Sequence, residues 1–388
     1  MNTQTKIIAL YLPQFHPIPE NDLWWGKGFT EWTNVGKAKP LFRGHNQPRV
    51  PADLGYYDLR LSEVREEQAE LAKEAGIAGF CYYHYWFGNG KELLEKPFKE
   101  VVSLGKPNFP FCLCWANHTW SNKTWEKTSA RVSTEILVEQ KYLGEEDDTN
   151  HFYSLLDAFR DCRYMKIDGR LIFVIYDPIN FLNVSSFMNT WQRLAKENNL
   201  PGFYFIGMTQ ATLGFKIDKN GNKSFSMPNL DSSKDVYEYI LNLGFDAVNS
   251  FGKRRGELLY EGKLYSILKR CLQKVGINIL TKYDYNKTVK NFFPPEDKWE
   301  NVFPTIMPQW DRSARVGKAD GVYVNSSPEN FKKHVEQVIQ LIKHKKESNR
   351  VVFLKSWNEW AEGNYIEPDI RDGKQYIFAL RDALKKRL

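Results

Sequence analysis

Runs of consecutive apolar residues recur along the chain, and polar stretches separate them. Eight of these runs are apolar at successive positions, not at alternate ones, which is the pattern of parallel strands buried on both faces of a sheet. The pattern therefore predicts eight strands in a sheet that is covered on both sides. The predicted strands are Lys6–Leu12, Ile77–Tyr83, Phe109–Trp115, Leu171–Tyr176, Phe203–Met208, Ala247–Ser250, Val302–Met307 and Val351–Trp357.

Amphipathic stretches lie between the apolar runs and indicate helices. Ser62 and Ser327 stand where two of these stretches begin, as is usual at helix N-termini. Gly76 and Gly244 each follow a stretch and precede a strand, which is the usual C-terminal stop. The predicted helices are Leu61–Glu74, Glu92–Leu104, Asp148–Cys162, Ser185–Asn198, Ser233–Leu243, Gly256–Lys274, Pro328–Glu347 and Lys374–Lys386.

Eight strands alternating with eight helices is the number for an α/β protein of the (β/α)8 class, the TIM barrel. The alternative is a doubly wound open sheet, but no Gly-x-Gly-x-x-Gly sequence follows the first strand. No linker or internal repeat is visible, so residues 1–388 are expected to form a single barrel domain. Three long strand-to-helix connections, at residues 13–60, 117–147 and 251–301, would all emerge on the catalytic face of such a barrel.

The composition is that of an ordinary soluble protein with a surplus of aromatic residues. Of the 388 residues, 42% are apolar and 26% are charged, while 15% are aromatic, and an aromatic-lined cleft would explain that surplus. The net charge of +7 is mild. Because the basic residues do not form one block interleaved with aromatic ones, we expect no binding to nucleic acid.

The cysteines and the N-terminus favour a cytoplasmic protein. Five cysteines cannot all pair, and three of them lie in apolar runs, where free cysteine behaves as a small hydrophobe. The first residues do not combine a basic segment with a long apolar one, as a signal peptide does. No apolar run approaches the roughly 18 residues of a membrane span.

Tryptophans and polar residues gather where the predicted strands end. Of the twelve tryptophans only Trp191 lies in a predicted helix, and the others lie at strand ends or in long connections. Aromatic faces cover the apolar face of a sugar ring, while polar groups fix its orientation. The pattern therefore predicts a sugar-binding cleft. The predicted substrate-binding residues are Tyr11, His16, Trp32, Tyr83, His84, Trp86, Trp115, Asn117, His118, Gln309, Trp310, Trp357 and Asn358.

The histidines have less specific alternatives. His84 and His118 could only hydrogen-bond neighbouring loops. A metal site made from His16, His84 and His118 is disfavoured, because no His-x-Glu or paired-ligand spacing supports it. We expect neither a metal ion nor a cofactor.

Two glutamates follow the last predicted strand, in the segment WNEWAEG at residues 357–363. A pair of carboxyl groups whose surroundings give them different pKa values can act as acid and base on a glycosidic bond. We therefore predict that Glu359 and Glu362 are catalytic. The alternative is a salt-bridged loop, which the surrounding tryptophans disfavour.

The segment WNEWAEG resembles the signature of glycoside hydrolase family 99-like proteins. Within that group the chain is most similar to the WbsX proteins of bacterial surface-polysaccharide clusters. Further stretches agree, and together the motifs run from residue 7 to residue 369. They are ALYLPQFH at 9–16, WWGKGFTEWTNV at 24–35, the spaced motif at 48–58 and GFCYYHYWF at 79–87.

The resemblance implies a (β/α)8 barrel that hydrolyses α-mannosides with retention. It implies that Glu359 takes the proton of the sugar's own 2-hydroxyl, which attacks the anomeric carbon and gives a 1,2-anhydro sugar. Glu362 would then protonate the leaving group and later activate water. Ala361 departs from the histidine expected in the characterised hydrolases, which affects the transfer of substrate specificity more than that of mechanism.

Two other functions stay open. The WbsX name carries a glycosyltransferase label, so transfer of a sugar onto a lipid-linked intermediate in O-antigen or capsule biosynthesis is the main alternative. Against it, the chain has no glycine-rich phosphate loop and no clear Asp-x-Asp motif. A non-catalytic sugar-binding protein is the third possibility, but binding alone does not need two carboxylates at one strand end. The expected partner is an oligosaccharide or polysaccharide; its sugar and linkage, and the oligomeric state of the chain, are left open.

The stretch Gly252–Lys274 mixes basic residues with leucines and isoleucine. One interpretation is an ordinary barrel helix with a solvated basic face. The other is a peripheral contact with anionic lipid, because basic amphipathic helices can lie in a membrane interface. The second interpretation would suit an enzyme that acts on lipid-linked precursors.

Overall fold

The central feature of the computed structural model is a closed barrel of eight parallel strands, β1–β8. The first strand pairs with both the second and the last, so the barrel has no free edge. All eight predicted strands are confirmed. They are β1 Lys6–Tyr11, β2 Gly79–Trp86, β3 Phe111–Trp115, β4 Arg170–Ile175, β5 Phe203–Gln210, β6 Ala247–Phe251, β7 Val302–Ile306 and β8 Val351–Leu354. The residues described are 5–122, 135–210, 215–217, 223–225 and 233–385; Trp125, expected near the cleft, lies outside them.

Helices follow the strands and form the outer layer, as predicted. The helix Ser62–Ala75 is typical: it buries Ala69 and Ala72 against the barrel and ends at Gly76, whose φ of 81° is the left-handed conformation that favours glycine. The outer helices are Ser62–Ala75, Lys96–Ser103, Glu145–Ser154, Leu156–Arg160, Val184–Glu197, Ser233–Asn242, Lys253–Glu261, Lys263–Lys274, Tyr285–Val289, Pro328–Ile342 and Gln375–Lys385.

Two predicted helices are each divided, and a third begins later than expected. Gly262, with φ 76°, separates Lys253–Glu261 from Lys263–Lys274. The predicted helix Asp148–Cys162 is interrupted at Leu155, where φ is −112°. The predicted helix Glu92–Leu104 begins only at Lys96 because Glu92–Leu93 pairs with β2 instead.

The long connections all lie at the carboxyl ends of the strands. The connection after β1 contains the helices Pro19–Trp25 and Glu31–Gly36. The connection after β3 forms a short antiparallel ladder between Trp120–Ser121 and Ile136–Val138. The connections after β6 and β7 share a second ladder, between Lys282–Asp284 and Val322–Val324. These segments build the walls of a cavity over the end of the barrel.

Candidate active site

A cavity of about 500 Å³ opens at the carboxyl end of the barrel. Its floor is formed by strand residues, and its walls come from the connections that follow six of the eight strands. Glu359 and Glu362 both line it. Other residues at its walls are Tyr83, Tyr85, His118, Trp120, Tyr176, Asp177, Asn249, Lys253, Arg254, Glu257, Trp310, Arg312, Arg315, Asp320 and Lys355.

The segment after β8 is held in place by hydrogen bonds to other parts of the barrel end. Asn358 accepts from the backbone N–H of Leu12 at 2.8 Å and donates to its carbonyl at 3.0 Å. The hydroxyl of Ser356 accepts from the backbone N–H of Glu359 at 2.8 Å. A single turn, Trp360–Glu362, then ends at Gly363 with φ 60°. This turn brings Glu362 back beside Glu359.

Glu359 is buried, and its carboxyl group has one cationic neighbour in hydrogen-bonding contact. Lys355 Nζ donates to its Oε2 at 2.9 Å, and Asn364 Nδ2 lies 3.3 Å from the same oxygen. Burial first, and then the charge of Glu362, raise the pKa of Glu359, whereas Lys355 opposes that change. Glu359 therefore keeps its proton to a higher pH than an ordinary glutamate.

Glu362 has several cationic neighbours. Arg315 Nη1 donates to its Oε1 at 2.7 Å, and Arg312 Nε lies 3.3 Å from that oxygen. Lys355 Nζ lies 3.7 Å from Oε2. Burial would raise the pKa of Glu362, but Lys355, Arg315 and Arg312 lower it below its ordinary value. Glu362 is therefore the ionised member of the pair.

Arg315 connects the pair to a third buried carboxyl group. Its Nη2 donates to Oε1 of Glu31 at 2.8 Å, while that oxygen also accepts from the backbone N–H of Ala361 at 2.9 Å. Glu31 lies in the connection that follows β1, and Arg315 lies in the connection that follows β7. The ion pair joins these two loops directly behind the glutamate pair.

Five predicted site residues meet in the cavity: Glu359, Glu362, Tyr83, His118 and Trp310. Tyr83 lies near the pair, with its hydroxyl 3.5 Å from Lys355 Nζ. Lys253 Nζ lies 4.1 Å from the centre of the Trp310 ring. The other ten predicted substrate-binding residues do not line the cavity.

Four of the predicted substrate-binding tryptophans do not line the cavity. Trp32 donates from its indole nitrogen to the carbonyl of Tyr57, and Trp86 donates to the carboxylate of Asp147. Trp115 donates to the carbonyl of Trp86, and Trp357 is fully buried against Phe80. These four side chains contact loops and core residues near the barrel end. None of the four contributes to the cavity wall.

The remaining predicted polar residues also make contacts outside the cavity. Tyr11 donates to Gln68, and His84 contacts His151 at 2.8 Å between their ring Nε2 atoms. Asn117 Oδ1 accepts from the backbone N–H of Asp177, Gln309 Oε1 accepts from Arg49, and Asn358 holds Leu12. His16 is buried below the surface of the first connection. In this structure these groups position loops.

Sequence reasoning missed the cations of the site, of which Lys355, Arg312 and Arg315 contact the pair. Lys355 follows the apolar run of β8, where a lysine is unusual, and this was a usable signal. Tyr85 was missed although it lies two residues after Tyr83 and so on the same face of β2. Arg312 and Arg315 carried no comparable signal.

In the part of the chain that the structure describes, no three His, Cys, Asp or Glu side chains gather as a metal-binding group.

Comparison with known proteins supplies the family context. Residues 7–380 match the model of a protein family described as glycosyltransferase WbsX. Relatives include the uncharacterized protein WxcX of two Xanthomonas campestris pv. campestris strains, B100 and ATCC 33913, each 32% identical over 381 residues. The match covers 98% of this chain and 50% of each relative, so the chain spans about half the length of these curated relatives.

Solved structures with a similar fold include two glycoside hydrolase barrels. A glycoside hydrolase-like protein is 15% identical, with a TM-score of 0.59, and the match covers 99% of this chain and 94% of that one. The GH99 endo-alpha-mannosidase from Bacteroides thetaiotaomicron is 12% identical, with a TM-score of 0.53, over 97% and 96% of the two chains. At these identities the likeness concerns the fold.

Proposed function

The chain belongs to the family described as glycosyltransferase WbsX, and on that premise we propose that it is an enzyme acting on the glycosidic bonds of a bacterial surface glycan or its precursor. Because the chain spans about half the length of its curated relatives, the proposal concerns the barrel. The reaction proposed is a retaining one, carried out by Glu359 and Glu362.

The observation that carries the proposal is that two neighbouring buried carboxyl groups in one cavity contact different sets of cations. Burial and the charge of Glu362 raise the pKa of Glu359, while Lys355, Arg315 and Arg312 lower that of Glu362. The two carboxyl groups therefore differ in acidity, and Glu359 is the member that holds a proton to higher pH. An acid and a base side by side are what breaking a glycosidic bond requires.

The separation of the two carboxyl groups supports retention. Both Oε2 atoms lie 3.3 Å from the same nitrogen, Nδ2 of Asn364. They cannot be farther apart than twice that distance, which is the lower edge of the roughly 6.5–9.5 Å that inverting enzymes use to fit a water molecule. A shorter separation leaves no room for that water molecule between the carboxyl groups, which favours retention over inversion.

The charges favour Glu359 as the proton donor and Glu362 as the carboxylate, which is the reverse of the roles that the family resemblance implies. Glu362 takes the proton of the sugar's 2-hydroxyl as that oxygen attacks the anomeric carbon, and Glu359 gives its proton to the departing oxygen. In the second step the acceptor hydroxyl gives its proton to Glu359 and opens the anhydro ring, and Glu362 returns its proton to the 2-oxygen.

The acceptor decides between hydrolysis and transfer. Water gives a hydrolase, and a sugar hydroxyl gives a glycosyltransferase that uses the same pair. Arg312, a cation at the cavity wall, already pairs with two carboxylates, since its Nη1 lies 3.6 Å from Asp320 and its Nε lies 3.3 Å from Glu362.

The test compares Glu359→Gln and Glu362→Gln on a defined oligosaccharide and on an aryl glycoside of the same sugar whose leaving group needs no proton. Both variants should lose about 10²–10⁴ in kcat on the oligosaccharide. On the aryl glycoside Glu359→Gln should recover the first step, measured as the initial release of the aryl group and as kcat/KM, although its second step still lacks the base; Glu362→Gln should not recover the first step. Recovery of Glu362→Gln instead would support the roles implied by the resemblance.

Glu63→Gln, on the surface of the first outer helix, is the matched control and should behave as wild type. If both active-site variants turn over both substrates at near wild-type rates, the catalytic assignment is wrong. Mass spectrometry of the products, with defined oligosaccharides and lipid-linked precursors as substrates, separates transfer to a sugar from hydrolysis.

A further inference from the structure

The helix Lys263–Lys274, beside the mouth of the cavity, turns its apolar residues outward. Leu264 is 86% exposed, Leu268 is 56% exposed and Ile267 is 41% exposed. These positions are three or four residues apart and share one face of the helix. A helix on the surface of a soluble protein normally directs that face toward the core.

The face of this helix that contacts the protein is polar. Ser266 is buried, and its hydroxyl accepts from Arg254 Nη2 at 3.2 Å. Lys269 Nζ lies 2.5 Å from Glu261 and 2.9 Å from the hydroxyl of Tyr283. Polar contacts therefore hold the helix on the barrel while its apolar face meets the surroundings.

The apolar surface extends beyond the helix. In the part of the chain that the structure describes, residues 259–279 hold nine of the nineteen exposed large apolar side chains. An apolar patch of this kind on a protein marks a surface that contacts a partner or a membrane. The members are Leu259, Tyr260, Leu264, Tyr265, Ile267, Leu268, Val275, Ile277 and Ile279; we call them the 259–279 patch.

The charge of the same segment identifies what would cover the patch. Residues 253–274 contain seven basic and two acidic residues, a net +5 within a chain of net charge +7. Lys253, Arg254 and Lys269 pair with Glu257 and Glu261, so the excess positive charge rests mainly on the other basic residues of the segment. Basic residues around an apolar helix face are the pattern of helices that lie in the interface of an anionic membrane. In the described residues, no helix is both long enough and apolar enough to cross a bilayer.

We propose that the 259–279 patch docks the enzyme on the surface of an anionic membrane. The patch adjoins the active site: Arg254, Glu257 and Asp320 line both the large cavity and a polar cleft of about 230 Å³ beneath the helix. Docking would place the cavity mouth at the lipid headgroups. Resting on the proposed function, this indicates a substrate whose sugar is carried on a membrane lipid.

The test is co-sedimentation of the purified chain with phosphatidylcholine vesicles that contain or lack phosphatidylglycerol. Wild type should sediment with the anionic vesicles at low salt, sediment less at high salt, and remain in solution with the neutral vesicles. The variant Leu264→Gln/Ile267→Gln/Leu268→Gln should lose most of this binding, at least about tenfold in partition coefficient.

The matched control is Leu23→Gln/Leu182→Gln, which changes two leucines that are 82% and 70% exposed outside the patch and should bind as wild type. Circular dichroism checks that each variant is folded. The proposal is overturned if wild type stays in solution with anionic vesicles at low salt, or if the triple variant binds equally well. It is also overturned if wild type sediments equally with the anionic and the neutral vesicles and the triple variant does not, because that result would indicate self-association through the patch.

The binding assay needs no turnover, so it separates this proposal from the proposed function. Vesicle binding without activity of the glutamate pair would retain the docking surface and reject the function. With both correct, the triple variant should turn over a soluble oligosaccharide at the wild-type rate. It should act more slowly than wild type on the same sugar carried by lipid in vesicles.

Discussion

Arg315 Nη1 donates a hydrogen bond of 2.7 Å to Oε1 of Glu362. Both side chains are buried, and the other terminal nitrogen of Arg315 binds Glu31 at 2.8 Å. A buried carboxylate paired in this way keeps its charge because the cation replaces the water that burial removed. Arg315, from a different loop, thus acts together with Lys355 to keep Glu362 ionised.

Arg315→Met should move the acid limb of the kcat/KM profile to higher pH. Removing the guanidinium raises the pKa of Glu362, so activity that needs its ionised form is lost earlier as the pH falls. A shift of about 1 pH unit or more is expected from the loss of one close opposite charge. The measurement is a pH–rate profile, and Arg315→Lys should show a smaller shift.

The same substitution leaves Glu31 buried without its cation, which costs about 3–5 kcal/mol of stability. The double variant Glu31→Gln/Arg315→Met removes that unpaired charge and keeps the test usable if Arg315→Met alone fails to fold. An acid limb that stays in place in a folded variant would contradict a role for Arg315 in holding Glu362 ionised.

Asn358→Ala should lower the free energy of unfolding of the protein, and its effect on KM should be small by comparison. Its side chain satisfies both backbone groups of Leu12, and leaving buried polar groups unpaired costs about 1–3 kcal/mol each. Thermal unfolding measures the loss. Asn358→Asp keeps the acceptor but sets a buried carboxylate oxygen against the carbonyl of Leu12, so it should lose at least as much. A higher KM with unchanged stability would instead restore Asn358 as a substrate-binding residue.

Tyr176→Ala should raise KM with little change in kcat. The ring lies at the cavity wall, 36% exposed and 5.3 Å from the ring of His118, and it offers an aromatic face to a sugar. Loss of such a contact should raise KM about three- to tenfold. Trp86→Phe, a change outside the cavity, is the control and should leave KM unchanged.

Chelation should leave turnover intact. Proton transfer by Glu359 and Glu362 supplies both steps of the proposed reaction without a metal ion. We expect the rate in excess EDTA to match that of the untreated enzyme. Complete loss of turnover, restored by adding a divalent ion, would favour a metal-dependent transferase that uses a diphosphate donor.

The architecture could be predicted because strands buried on both faces leave a direct mark on the sequence. Apolar runs and intervening amphipathic stretches were enough to identify all eight strands, and their order in the chain is their order around the barrel. The breaks at Gly262 and Leu155 were missed because the apolar pattern continues across both of them. A local backbone conformation ended those helices without changing the pattern.

The end of β2 illustrates which part of the site could not be predicted from the sequence. Tyr83, His84, Tyr85 and Trp86 were all at the expected end of a strand, but successive side chains of a strand point to opposite faces. Tyr83 and Tyr85 line the cavity, whereas His84 contacts His151 and Trp86 contacts Asp147 in the outer layer. The sequence shows this alternation but does not say which face is the interior.

By itself the sequence determined the barrel, the end at which chemistry gathers, and the two glutamates after β8, since all three follow from local pattern and position along a strand. Only the tertiary structure decided the state of those glutamates. Arg315 and Glu362 are 47 positions apart, and no periodicity relates them. The barrel brings their loops together at one face, where burial makes the resulting charge contacts strong enough to separate two pKa values.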